Sequence, residues 1–158
     1  MRPWVVYYSL SGNTKRIADE ITEALGCEST RLETALAYPK PYDAVIAQGE
    51  DEVRRGHMPA LRPYTAMPPD CDTVILGTPV WWYTVAPAIR TFLAQNELSG
   101  KAIYLFATNG GWIGHTFRDI EALCPGAVVK ESLSLRFDGS SLRTESRLIH
   151  DWIKRIKE

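Results

Sequence analysis

No apolar run in this 158-residue chain is long enough to span a bilayer as a helix, so membrane insertion is not expected. Cysteine is scarce. Cys27, Cys71 and Cys124 are odd in number and far apart, with no CxxC and no ligand spacing to any of the three histidines. That excludes a disulfide-stapled scaffold and a thiolate metal site, and predicts reduced, mostly buried thiols in a cytoplasmic protein. No small-residue cleavage site follows the apolar start at Trp4 to Leu10, so no secretory leader is expected. Excess charge of either sign is also missing: 18 Lys and Arg against 19 Asp and Glu leave a formal charge of −1. Such a chain has no basic field for nucleic acid. Neither common nucleotide loop occurs, GxGxxG or GxxxxGK[ST]. No Ser/His/Asp set, metal-ligand cluster, repeat or low-complexity tract stands out, and one domain over residues 1–158 is expected.

What the chain does contain is an alternation of strand and helix signals. Residues 4–8 read as a strand and 14–25 as a helix stopped by Gly26. A short strand over Glu28 to Leu32 precedes the breaker cluster Tyr38-Pro39-Lys40-Pro41. Tyr42, Val45, Ile46 and Val53 then recur at helical spacing up to Gly56. Residues 57–69 hold four prolines and read as a surface loop. Thr73–Gly77 is a buried strand, Val85–Leu93 a helix, Ala102–Ala107 the strongest strand, and about 114–123 a helix with Phe117, Ile120 and Leu123 on one face. A last strand over 127–137 and a helix over Leu142–Ile156 close the chain, with Leu148, Ile149, Trp152, Ile153 and Ile156 facing inward. Continuous apolar strands alternating with helices imply a parallel α/β sheet covered on both faces.

Three stretches follow the carboxyl ends of predicted strands. The first is Tyr8-Ser9-Leu10-Ser11-Gly12-Asn13-Thr14, where four small hydrogen-bonding side chains surround a glycine at a helix start. The first amides of a helix lack intrahelical partners and carry partial positive charge, so this loop is built to hold a phosphate. A serine-rich turn that merely caps the helix would use the same residues. The second is Thr78-Pro79-Val80-Trp81-Trp82-Tyr83. Three consecutive aromatics in a loop cannot all enter one core, which leaves a surface for a flat ligand. The third is Thr108-Asn109-Gly110-Gly111-Trp112-Ile113-Gly114-His115, whose glycines expose bare amides. His115 reads more simply as a hydrogen-bonded surface group than as an acid or base.

The pattern S-x-S-G-N-T after a first strand resembles the FMN-phosphate loop of the flavodoxin family. The run G-T-P-V-W-W resembles that family's first flavin loop, and Asn109 to Gly114 its second; together the likeness spans nearly the whole chain. It implies a three-layer fold with five parallel strands in the order 2-1-3-4-5, in the short form that lacks an insertion in the last strand. It implies FMN as cofactor, held by residues 9–14, 78–83, 108–111 and Gly114. Which aromatic stacks on the flavin stays open. Asn109 and Trp112 depart from the serine and the small residue common among relatives, and Trp112 could shield the ring. The resemblance implies electron transfer through FMN to a redox partner protein, or reduction of a small quinone-like acceptor by NAD(P)H. A monomer or homodimer suits either. The chain's weak net charge is unlike the strongly acidic carriers of the family.

Overall fold

Residues of strand β1 (Pro3–Tyr8) point alternately into two separate cores. The computed structural model describes residues 1–158. After β1 come α1 (Asn13–Leu25), β2 (Glu28–Leu32), α2 (Tyr42–Arg55), β3 (Thr73–Trp81), β4 (Thr84–Val85), α3 (Pro87–Gln95) and β5 (Ala102–Asn109). The chain ends with α4 (Thr116–Leu123), β6 (Val128–Asp138), β7 (Ser141–Leu142) and α5 (Ser146–Lys157). The long strands are parallel in the order β2-β1-β3-β5-β6. That is the expected 2-1-3-4-5 sheet, extended by two antiparallel two-residue strands, β4 on β3 and β7 on β6.

Each face of the sheet carries its own apolar cluster. Trp4, Val6, Val74, Leu76, Ile103 and Leu105 pack with Ile89 and Phe92 of α3 and Ile120 of α4. Val5, Tyr7, Ile75 and Phe106 pack with Ile17 and Ile21 of α1 and with Ile149 and Trp152 of α5. Fully burying a side chain of this size contributes about 1.5–3 kcal/mol, so the double cover supplies most of the drive to fold. Gly77 is fixed by packing: a Cβ there would sit 2.1 Å from the Phe106 ring.

Four elements differ from expectation, each for a local reason. β3 runs four residues beyond Gly77, because Val80 pairs with Val85 and Trp81 with Thr84. Helix α3 consequently starts at Pro87 rather than Val85, with the proline in its first turn, where no amide donor is needed. Helix α5 starts at Ser146 rather than Leu142, because Leu142 pairs with Phe137; Leu148 is exposed and the other four expected residues are buried. In α2 the expected apolar stripe is not buried, and Tyr42 and Ile46 are exposed. Gly49 and Glu52 are the buried residues instead, because the Trp81 ring packs 3.3 Å from where a Gly49 Cβ would be. The three cysteines are all unpaired, Cys71 and Cys124 buried and Cys27 half-buried. No helix is long and apolar enough to cross a membrane.

Candidate functional site

The loop between β1 and α1 is shaped by one glycine and one serine. Gly12 has φ +103°, a left-handed value that a residue with a Cβ resists, although the space around it is open. The Ser9 hydroxyl oxygen accepts the amides of Gly12 (3.2 Å) and Lys15 (3.1 Å), and this folds the loop back onto the helix start. Its own O–H remains free to donate. The amides of Asn13 and Thr14 find no acceptor in the protein, and no acidic side chain occupies the first turn. The helix dipole adds partial positive charge at that point, which is the arrangement that binds anions. Leu10 and Ser11 are exposed. The Asn13 side-chain amide donates to the Gly139 carbonyl (2.9 Å), and Arg16 reaches the Ser140 carbonyl (3.4 Å), so the β6–β7 turn stands beside the loop.

Beyond the sheet the end of β3 forms a tight hairpin with β4. Its two turn residues, Trp82 and Tyr83, have φ +49° and +66°. Of the two-residue hairpin turns, the type I′ form needs positive φ at both positions, where glycine and asparagine are usual. Large side chains there cost on the order of 1–2 kcal/mol each. The turn is held from outside: the His115 amide donates to the Tyr83 carbonyl (2.8 Å). Gly114 makes this approach possible, since a Cβ on it would lie 2.3 Å from the Tyr83 oxygen. Thr84 and His115 both contact the Asp119 carboxylate, which anchors the hairpin to α4. Burial opposes ionisation of Asp119, but the Thr84 and His115 hydrogen bonds, with the charges of His115 and Arg90, hold it below the usual carboxylate range.

Opposite the hairpin lies the loop after β5. Asn109 braces it, accepting the Gly111 amide (2.8 Å) and donating to the Ser134 hydroxyl (2.8 Å). Hairpin and loop enclose an open cleft of about 510 Å³ lined by Val80, Trp82, Tyr83, Asn109, Gly110, Gly111 and Trp112. Tyr83 and Trp112 meet edge to face across its mouth, centroids 5.7 Å apart. The cleft thus has aromatic rings from both segments, Trp82 and Tyr83 from the hairpin and Trp112 from the loop, beside the bare backbone of Gly110 and Gly111.

Most of the residues anticipated from sequence reach this end of the sheet, but not all face the cleft. Thr78 is fully buried; its hydroxyl donates to the Pro79 carbonyl and accepts the Ala86 amide, so it shapes the hairpin from behind. Pro79 lies in β3, half-buried. Trp81 turns away and packs edge-on against Tyr8 (5.9 Å) and Tyr38 (5.1 Å). Thr14 and Thr108 are buried and hydrogen-bonded to each other at 2.7 Å, which ties α1 to β5. Residues not anticipated also stand at the site. Arg136, opposite Asn109 in the β5–β6 register, has its Nε 3.7 Å from the Gly111 Cβ position. Its strand position, level with the glycine loop, was the available signal. Thr84 and Asp119 had none, because their pairing depends on a hairpin absent from the expected secondary structure.

Comparison with known proteins agrees with this fold. A flavoprotein structure from Lactobacillus acidophilus in complex with FMN aligns with a TM-score of 0.73 at 19% identity, over 84% of this chain and 92% of that one. A Bacteroides eggerthii protein assigned as a flavoprotein aligns with a TM-score of 0.80 at 25% identity, covering 99% and 98%. One from Bacteroides uniformis gives 0.83 at 23%, covering 97% of each. No protein with curated annotation matches the chain. The family model described as Flavodoxin matches residues 2–156, the entire sheet together with all three loops at its carboxyl edge. The chain belongs to the flavodoxin family.

Proposed function

We propose that this flavodoxin-family protein binds FMN and passes electrons through it to a redox partner or small acceptor in the cytoplasm. The observation that carries the reading is the pair of acceptor-free amides, Asn13 and Thr14, at the left-handed Gly12, on the same sheet edge as the aromatic cleft. A terminal phosphate fits there. The free Ser9 hydroxyl and those two amides would hold its oxygens, and the Asn13 bond to Gly139 keeps the loop closed against the β6–β7 turn. The exposed Ser11 hydroxyl stands where it can add a further donor. Trp82 and Tyr83, with Gly114 packed against Tyr83, on one side and Asn109 to Gly111 on the other would border the ring system. Bound FMN would supply one- and two-electron transfer chemistry that no side chain here provides. The protein's part is to bind, to orient, and to restrict water at the ring through Trp112. Stacking against an aromatic side chain adds about 0.5–1.5 kcal/mol beyond buried area.

A second reading, an NAD(P)H-dependent reductase of quinones or similar acceptors, is favoured by one feature: the edge-to-face Tyr83–Trp112 pair at an open cleft mouth offers a flat acceptor a seat. The near-neutral net charge also gives little general attraction for a basic protein partner. The purified protein is expected to be yellow, and mass spectrometry of the extracted cofactor to give FMN; FAD would contradict the phosphate assignment. Steady-state oxidation of NADH or NADPH in the presence of a quinone then separates reductase from carrier.

A further inference from the structure

Glu52, on α2, is a buried carboxylate with no counter-ion. It is 5% exposed, and the two arginines nearest in sequence, Arg54 and Arg55, are both paired with Asp51 instead. Its oxygens accept one bond each from neutral donors, the Tyr38 hydroxyl (2.7 Å) and the Gln48 side-chain amide (2.8 Å). A carboxylate has about four lone-pair sites, so roughly two remain unfilled. Burying such a charge without a cation is costly.

Beside it lies a separate cavity of about 250 Å³, lined by Tyr38, Gln48, Glu52, His57, Pro59 and Ala60 together with the 34–36 segment. Its walls are built. Ala35 donates its amide to the Ala60 carbonyl (2.8 Å), Thr34 bridges to Leu61, and the Thr91 hydroxyl holds the Pro59 carbonyl (2.7 Å). The cavity is small, has apolar walls at Ala35, Pro59 and Ala60, and Glu52 is the one acidic side chain that lines it.

We propose that this cavity is a binding site for a short primary alkylammonium, with its cationic head on Glu52 and its chain against Ala35, Pro59 and Ala60. The molecule gathers no group of three acidic, histidine or cysteine side chains, so a divalent metal is not the fitting occupant. An ammonium is a point donor that uses one free lone pair at a time. The inference does not rest on the FMN reading, because the flavin cleft shares none of these residues.

The test is an amide chemical-shift titration of the full-length protein with n-propylammonium chloride at constant ionic strength. Saturable shifts confined to residues 34–38 and 48–60 are expected, with none of comparable size from propan-1-ol. Glu52→Gln keeps the volume and removes the charge, and should weaken the dissociation constant about tenfold or more, as loss of a charge-assisted bond does. Ala60→Phe keeps Glu52 and puts a bulky ring on the cavity wall, and should weaken or abolish the shifts; it decides the matter if Glu52→Gln fails to fold. Absence of saturable shifts, equal saturation by propan-1-ol, or unchanged binding to a folded variant would overturn the proposal.

Discussion

A buried hydrogen bond of 2.7 Å between the hydroxyls of Thr14 and Thr108 joins the start of α1 to the end of β5. Both residues were expected at the cofactor site; their side chains are buried and bonded to each other, and Thr14 turns its backbone amide to the loop. Thr14→Val keeps the shape and strands the Thr108 hydroxyl, an unsatisfied buried group that costs about 1–3 kcal/mol. Urea unfolding should show that loss, and the double variant with Thr108→Val should recover part of it; fully additive losses would mean the pair is not coupled. Asp119 gives a pH dependence at the same scale. Its folded-state pKa is lowered, with burial outweighed by Thr84 and His115, so its contribution to stability is fully present above the ordinary carboxylate value. That contribution should be lost as pH falls below about 4 and through the depressed folded value. Melting temperatures of the wild type and Asp119→Asn, measured from pH 6 downward, should converge in that window; a constant difference would refute the assignment.

Among the elements, the β3–β4 hairpin is where sequence reasoning fell short. Trp82 and Tyr83 occupy left-handed turn positions that glycine or asparagine normally fill, so the turn code pointed to a loop. The strand alternation through Thr78 to Trp81 was hidden by Pro79, and the external supports, Asp119 and the His115 amide, are distant in sequence. The loop between β1 and α1 stood out in the sequence as a candidate phosphate site because its signal is local: serine, glycine and the helix start lie within six residues. Strain retained at a cleft wall points to a role for the aromatic rings there. Replacing Trp82→Asn together with Tyr83→Gly should relieve it and, after loss of the Tyr83–Trp112 contact, stabilise the protein by a net roughly 1–2 kcal/mol. The same double variant should bind FMN more weakly. A lower denaturation midpoint, with FMN affinity intact, would show that the turn is neither strained nor part of the site.

For the molecule as a whole, the parallel, doubly covered sheet was readable because each central strand is a continuous apolar run buried on two faces and the helices between them carry one clear inward stripe, while the order of the strands followed from the family resemblance. The exception is α2, whose apolar residues are largely exposed while a glycine and a glutamate face inward, a choice imposed by Trp81 and Tyr38 rather than by the helix's own pattern. The sheet's carboxyl edge collects three loops, and the central claim is that the first of them is a phosphate site serving FMN. A ligand that binds only the folded state adds about 2.7 kcal/mol at a concentration a hundredfold above its dissociation constant. For a chain of this length that corresponds to a rise of roughly 5–10 °C in melting temperature. Thermal unfolding of the cofactor-free protein should therefore show such a rise with FMN and a much smaller one with riboflavin, which carries the same ring system without the phosphate; equal shifts for the two, or no shift with FMN, would contradict the account.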